Sequence, residues 1–336
     1  MASASGESIE KLEDMIVRAA ETTAAHVRAA KDAIGTVIFG QETVVEHALV
    51  TVLSGGHALL VGVPGLAKTK LVETMGIALG LDARRVQFTP DLMPSDILGS
   101  EVLEENTAGK RSFRFIPGPV FAQLLMADEI NRASPRTQSA LLQAMQEQHV
   151  TVAGARHDLP KPFHVLATQN PLEQEGTYPL PEAQLDRFLM EIDVDYPDLE
   201  AERKILFDTT GAEDSQAKAA MTADDLIAAQ RLVRRLPVGE SVVEAILQLV
   251  RSARPGEEAG EFSRLISWGP GPRASQALML AVRARALLDN RFAPSIDDVL
   301  ELAEPVLKHR MALTFAARAE GETVGNVIKR LKARIG

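Results

Sequence analysis

No cysteine occurs in the 336 residues of the chain. Its absence excludes disulfides, iron–sulfur clusters and thiolate zinc sites, and it suits a reducing compartment, so a cytoplasmic location is expected. A basic excess is missing as well: the formal net charge is −10. Broad affinity for nucleic acid or an anionic membrane needs basic surface, so neither is an expected partner. The first residues bear Ser, Glu and Lys without the apolar stretch of a secretory leader. One run, residues 47–67, holds no Asp, Glu, Lys or Arg, but Gly55-Gly56 and Pro64 interrupt it. A buried helix followed by a strand is expected there, not a membrane span. With 46% hydrophobic and 24% charged residues, the composition is that of a globular chain with room for more than one domain.

Within that run begins the stretch that organises the sequence, Gly62-Val63-Pro64-Gly65-Leu66-Ala67-Lys68-Thr69. It follows the short apolar segment His57-Ala58-Leu59-Leu60-Val61 and precedes a helical segment, 68–79, closed by Gly80. Strand, loop and helix in that order make a phosphate-binding loop. The backbone N–H groups and the helix N-terminus cradle phosphate oxygens. Lys68 would neutralise the β/γ-phosphates, Thr69 Oγ would hold Mg²⁺, and Lys70 follows in the first helical turn. The general pattern has glycine before the lysine, where this chain has Ala67. Spacing alone therefore leaves a glycine-rich connector open.

A second segment decides between them. Leu124-Leu125-Met126-Ala127 runs into Asp128-Glu129, an apolar strand ending in two carboxylates. Asp128 would bind the metal through its water shell, and Glu129 would orient and activate the attacking water. Alone the pair could cap a helix; with the phosphate loop upstream it reads as a nucleoside triphosphatase. A further strand, 164–169, ends in Asn170, which could hydrogen-bond the attacking water or the γ-phosphate, or serve as a structural asparagine. Upstream of the loop, Ile38 and Phe39 could wall an adenine or pack in the core.

The rest of the chain frames this site. Ile9, Leu12, Ile16, Ala20, Thr23, Val27, Ala30 and Ile34 recur at helical spacing, giving one long packing helix ended by Gly35. A second strand is expected over 84–88, then a polar, Pro-punctuated connection over 89–96. Hairpins are expected over 98–115, turning at Asn106-Thr107-Ala108-Gly109 and carrying Lys110 after the turn, and over 149–157. Ser134-Pro135 opens a helix through residue 148. From about residue 198 the strand signals stop. Thr222-Ala223-Asp224-Asp225 and Ser295-Ile296-Asp297-Asp298 are helix-start capping signals. Residues 305–336 carry seven Lys/Arg against two Asp/Glu, read as a solvated helix face or subunit contact.

Over nearly its whole length the chain resembles a AAA+ ATPase of the MoxR family, in the lineage with an insert in the second core helix. That family's loop reads Gly-x-Pro-Gly-x-Ala-Lys-Thr, so Ala67 agrees with it. Asp128-Glu129-Ile130-Asn131-Arg132 resembles its metal and catalytic-base segment, and Ala167-Thr168-Gln169-Asn170-Pro171 its first sensor. Leu180-Pro181-Glu182-Ala183-Gln184-Leu185-Asp186-Arg187-Phe188 resembles the segment with the arginine finger, which makes Arg187 the finger candidate, reaching a neighbouring subunit's γ-phosphate. Trp268-Gly269-Pro270-Gly271-Pro272-Arg273-Ala274 resembles the second-sensor segment, with Pro270-Gly271 replacing the usual Ala-Ser; the resemblance implies that Arg273 meets the γ-phosphate of its own subunit.

The expected fold is thus α/β: a P-loop NTPase (AAA+) core with a parallel sheet flanked by helices, followed by a small all-α lid. The expected parts are an N-terminal helical segment, 1–36, a nucleotide-binding core, 37–196, and a lid, 197–336. The resemblance implies ATP and Mg²⁺ as cofactors and a homo-oligomeric ring, a hexamer. It further implies chaperone-like remodelling or activation of a client complex, with a von Willebrand factor A domain partner and metal-cofactor insertion. A nucleic-acid motor or loader, a metal-chelatase subunit and a non-hydrolysing nucleotide-gated module stand as alternatives.

Overall fold

The computed structural model describes residues 3–105, 111–173, 176–211 and 216–335, with residues 3–17 and 257–259 as backbone. The expected turn at 106–109, and Lys110 after it, lie outside the described residues. The chain opens with α1 (Ser3–Gly35), whose Ala24, Val27, Ala30 and Ile34 are buried along one face. Helix α2 (Glu42–Leu53) buries nearly every side chain and leads into β1 (Ala58–Val61). The uncharged run 47–67 is therefore a core helix, a strand and the loop, and among the described residues no helix is long and apolar enough to cross a membrane. After the loop come α3 (Lys68–Ala78), β2 (Ala83–Gln87) and the one-turn α4 (Pro94–Leu98). The last of these occupies the stretch expected to be a plain connection, because Pro94 begins the turn and Asp96 accepts the Met93 N–H at 2.8 Å.

Strands β3 (Gly99–Glu105) and β4 (Arg111–Pro117) form the first expected hairpin, and β5 (Leu124–Asp128) returns to the core. Helix α5 (Pro135–Glu147) starts at the Ser134 cap. The second hairpin, β6 (His149–Val152) with β7 (Ala155–Asp158), turns at Ala153-Gly154, both with positive φ, as a tight two-residue turn requires. Then follow β8 (His164–Gln169), the single turn α6 (Glu182–Leu185) and β9 (Met190–Asp193). The main sheet has the order β2-β5-β8-β1-β9, all parallel. Along β1, β5 and β8 alternate residues serve opposite layers: Ala58, Leu60, Met126 and Leu166 face the α1/α2 side, whereas Leu59, Leu125, Val165 and Ala167 face the α5 side. Burial on both faces is what makes these strands continuous apolar runs, and it fixes their register.

Beyond β9 come α7 (Leu199–Thr210), α8 (Ala223–Arg235), α9 (Glu240–Ser252), a short β10 (Ile266–Trp268), α10 (Pro272–Leu288), α11 (Ile296–Leu307), β11 (Ala312–Leu313), α12 (Phe315–Ala319) and α13 (Val324–Lys332), in the stretch where the lid is expected. Both expected capping boxes are present, Thr222 with Asp225 and Ser295 with Asp298. In one respect the lid departs from an all-helical expectation: β10 and β11 pair as an antiparallel ribbon. Strands of three and two residues are too short to carry a period-2 signal, so the sequence does not announce them. The half-buried Trp268 ends the ribbon. Leu226 of α8, Leu278 of α10, and Leu302 and Val306 of α11 join the same apolar cluster as α1, α2 and β1. The lid is continuous with one layer of the core. Its basic end is engaged internally: Arg330 and Arg334 pair with Glu322 and Glu261 and both lie over the Phe262 ring.

Candidate functional site

The phosphate loop leaves β1 at the centre of the sheet, at the carboxyl ends of the strands, where side chains from β2, β5 and β8 converge. Gly62 is required there by a close approach: a Cβ would lie 2.5 Å from the Val194 carbonyl oxygen. Ala67 has φ 54° and ψ 19°, the left-handed region, which explains why glycine is the general choice before the lysine. No side chain caps the N-terminus of α3. Lys68 Nζ folds back on the loop, donating to the carbonyls of Gly62 and, at 3.1 Å, Val63. Burial lowers its pKa, and the charges of Asp128 and Glu129 oppose that shift.

A cleft of about 460 Å³ runs along the loop, lined by Pro64 to Lys70 and by Asp128, Glu129, Thr168 and Asn170. The structure thus brings Lys68, Thr69, Lys70, Asp128, Glu129 and Asn170 to one cleft. The two carboxylates are held apart by different partners. Asp128 Oδ2 accepts from Arg85 Nη2 at 2.5 Å and Nε at 3.1 Å, and Asp128 Oδ1 accepts from Thr168 Oγ at 2.5 Å. Glu129 sits at φ 56°, also left-handed, its N–H bonded to Thr168 Oγ at 2.8 Å. Its Oε2 accepts from Gln87 Nε2 at 2.7 Å and from Arg132 Nη1 at 3.1 Å. Asn170 Oδ1 accepts the Leu172 N–H at 3.1 Å, leaving its amide NH₂ available on the cleft wall.

Sequence reasoning missed Arg85, Gln87, Arg132 and Thr168 as site residues. The first two stand at alternate positions near the end of β2, opposite Met126 and Asp128 of β5. Nothing local reveals that β2 is the neighbour of β5; two polar residues in a short strand are the only trace. Thr168 and Arg132 sit within segments already singled out, one residue from Gln169 and three from Glu129.

Beside the cleft, and sharing Gly65, Leu66, Ala67 and Lys70 with it, is a more apolar pocket of about 370 Å³. Ile38 and Phe39 both line it, with Pro197 and Ile205 opposite. A cationic cleft with an uncapped helix end, joined to an apolar pocket, fits a triphosphate continued by a flat base. Thr69 hydroxyl and Asp128 carboxylate are hard oxygen donors of the type Mg²⁺ takes.

The arginines are elsewhere. Arg187 and Arg273 line a separate groove of about 440 Å³ with His57, Met145, Asp186 and Arg310, and neither lines the loop cleft. Arg187 Nη1 donates to the Leu142 carbonyl of α5 at 2.7 Å, while Arg273, in the first turn of α10, lies 3.5 Å from Asp186 Oδ2. His57 floors this groove as a neutral ring. Its Nε2 donates to the Met145 carbonyl, and Nδ1 accepts the Val165 N–H. Burial pushes its pKa down to about 3, with a smaller contribution from His164, whose own pKa burial pushes down to about 4.

Residues 57–190 match the model of the ATPase family associated with various cellular activities, and residues 261–331 match the AAA lid domain. Chaperone MoxR1 of Mycobacterium tuberculosis is 43% identical over 93% of this chain and 83% of its own. This chain belongs to the MoxR family of AAA+ ATPases. Protein MoxR of Paracoccus denitrificans is 32% identical over 89% of the chain and 92% of its own length. A crystal structure from Cytophaga hutchinsonii, of a protein assigned as an ATPase, superposes with a TM-score of 0.88 at 37% identity, covering 95% of this chain and 96% of that one. The chain is accordingly an ATP hydrolase.

Proposed function

We propose that the chain hydrolyses Mg²⁺-ATP as a homo-oligomeric ring of six, in which Arg187 and Arg273 of one subunit serve the cleft of the next. One observation carries this reading: the two arginines share a groove apart from the cleft that holds Lys68, Thr69, Asp128 and Glu129. For Arg273 this departs from the same-subunit contact implied by the resemblance, since its neighbour is Asp186. Thr69 and Asp128 would hold Mg²⁺, which when bound neutralises phosphate charge. Lys68 releases its two loop carbonyls to meet phosphate oxygens. Glu129, freed from Gln87 and Arg132, accepts a proton from the attacking water, and Asn170 orients that water through its amide. Ile38 and Phe39 flank the base. Arginines arriving from a neighbour complete the charge balance on the transferred phosphoryl group, so turnover requires assembly.

The relatives named as chaperones support the use of this cycle to remodel or activate a client protein complex in the cytoplasm. The family resemblance adds a von Willebrand factor A domain partner and metal-cofactor insertion. The exposed hairpin β3–β4, with Leu103 and Phe113 paired on it and both open to solvent, is suited to gripping protein. Native mass spectrometry of the Glu129→Gln variant with ATP tests the assembly: a six-subunit mass is expected, and a monomer at micromolar concentration contradicts it.

A further inference from the structure

The lid contacts the finger segment through a short 3₁₀ turn, Lys308–Arg310, between α11 and β11. All three residues of that turn reach back to the core. Lys308 Nζ pairs with Asp193 at 2.5 Å and with Glu191 at 3.4 Å on β9. His309 Nε2 donates to the Phe188 carbonyl at 3.2 Å. Arg310 is 2% exposed, and its guanidinium fork is spent on the residues around Arg187. Nε donates to Asp186 Oδ1 at 2.7 Å; Nη2 donates to the carbonyls of Phe188 at 2.6 Å and Asp186 at 3.3 Å; Nη1 donates to Leu189 O at 3.1 Å and to Val306 O of the preceding α11. The bonded residues bracket Arg187 on both sides. Arg187 itself donates from Nη1 to Leu142 O and from its backbone N–H to Gln184 O at 3.2 Å, and the bracket fixes the chain on either side of it.

From this geometry we infer that Arg310 is a positioning residue for catalysis in the neighbouring subunit: it locks the backbone on either side of Arg187 to the lid, so lid orientation sets where the finger points. The inference rests on the reading of Arg187 as an intersubunit finger. A planar fork meeting the carbonyls of Asp186, Phe188 and Leu189 and the Asp186 carboxylate cannot be reproduced by an ammonium, whose three N–H donors all radiate from one nitrogen. Asp186 has a second function in the same arrangement, since its other oxygen faces Arg273. One carboxylate, next to Arg187 in the chain, thereby bridges Arg273 and Arg310. Nothing in this network touches the subunit's own cleft, so a fault in it belongs to the neighbour's reaction.

Subunit mixing tests this. Arg310→Lys keeps the charge and is the variant most able to fold; Arg310→Met is its more severe companion, and a cooperative melt qualifies either one. Arg310→Lys alone is expected to lose about 10- to 10²-fold in kcat, as expected for a catalytic group displaced by about 1 Å, with affinity for a fluorescent ATP analogue unchanged. Glu129→Gln subunits have an inactive cleft and an intact finger. Mixed with Arg310→Lys subunits, whose clefts are intact, they are expected to restore hydrolysis to the level that they restore in Arg187→Ala subunits. Restoration of Arg187→Ala but not of Arg310→Lys overturns the positioning role, because Arg310 then acts on its own subunit. Full turnover by Arg310→Lys alone overturns it as well. Failure of the Arg187→Ala mixture sinks the finger reading itself, and the inference with it.

Discussion

In the cleft at the end of β1, the functional groups come from four adjacent strand ends and one loop, and each carboxylate already holds a basic partner: Asp128 holds Arg85, and Glu129 holds Arg132. In the groove beyond α5, the groups come from a short connecting segment and from the lid. Arg187 rests on one backbone carbonyl, and Arg273 is half exposed, 3.5 Å from Asp186. The cleft is a pre-organised site whose geometry follows from sheet order. In the groove Arg310 is buried and held by several bonds, whereas Arg187 and Arg273 beside it have few side-chain contacts, as the proposed intersubunit role requires. The two regions therefore differ in how tightly their charged groups are already engaged.

The sharpest way to break this division is at Arg187. Arg187→Ala should leave ATP affinity intact and lower kcat of the assembled enzyme by about 10³-fold, the scale of an arginine finger. A proportionate loss of ATP binding would place Arg187 in its own cleft. Within the cleft, Glu129→Gln should cost about 10²- to 10³-fold in turnover while ATP still binds. Normal turnover would remove Glu129 as the base.

The next effect distinguishes the two regions by pH. His57 and His164 are neutral when folded, with pKa values of about 3 and 4 set by burial. Both values lie below the unfolded histidine value near 6.5, so the unfolded chain binds more protons as pH falls. Stability should be flat above about pH 7 and fall between pH 6.5 and 5, by up to about 1.4 kcal/mol per pH unit for each histidine. Melting temperature across that window measures it, and a flat profile would contradict neutral burial beside the groove. The smallest effect belongs to the loop. Ala67→Gly relieves a left-handed alanine and should change stability by no more than about 1 kcal/mol, with the strain relief offset by added chain entropy. A loss of several kcal/mol would mean that the alanine methyl is itself packed.

How much of this was legible beforehand follows the same division. The cleft could be read because its residues lie in contiguous segments whose chemistry demands particular types: glycines and a lysine at the loop, two carboxylates after an apolar strand, an asparagine after another. The ribbon β10–β11 could not be read, since its strands are too short to display a period, and β9 was passed over because Glu191 and Asp193 break up its apolar residues. Arg85 and Gln87 were hidden because their role depends on β2 lying beside β5, a pairing made by crossover connections. Arg310 was hidden for a deeper reason. It stood in a basic C-terminal stretch that looked like a solvated face, while its bonds to Asp186 and Phe188 span more than a hundred residues of sequence.

The central claim is that hydrolysis needs a cation from the next subunit. Specific ATPase activity measured against protein concentration, with sedimentation recorded on the same samples, tests it most directly. Activity per subunit should fall on dilution in step with loss of the ring and approach zero for the monomer. Monomeric protein that hydrolyses ATP as fast as the assembled form would contradict the account.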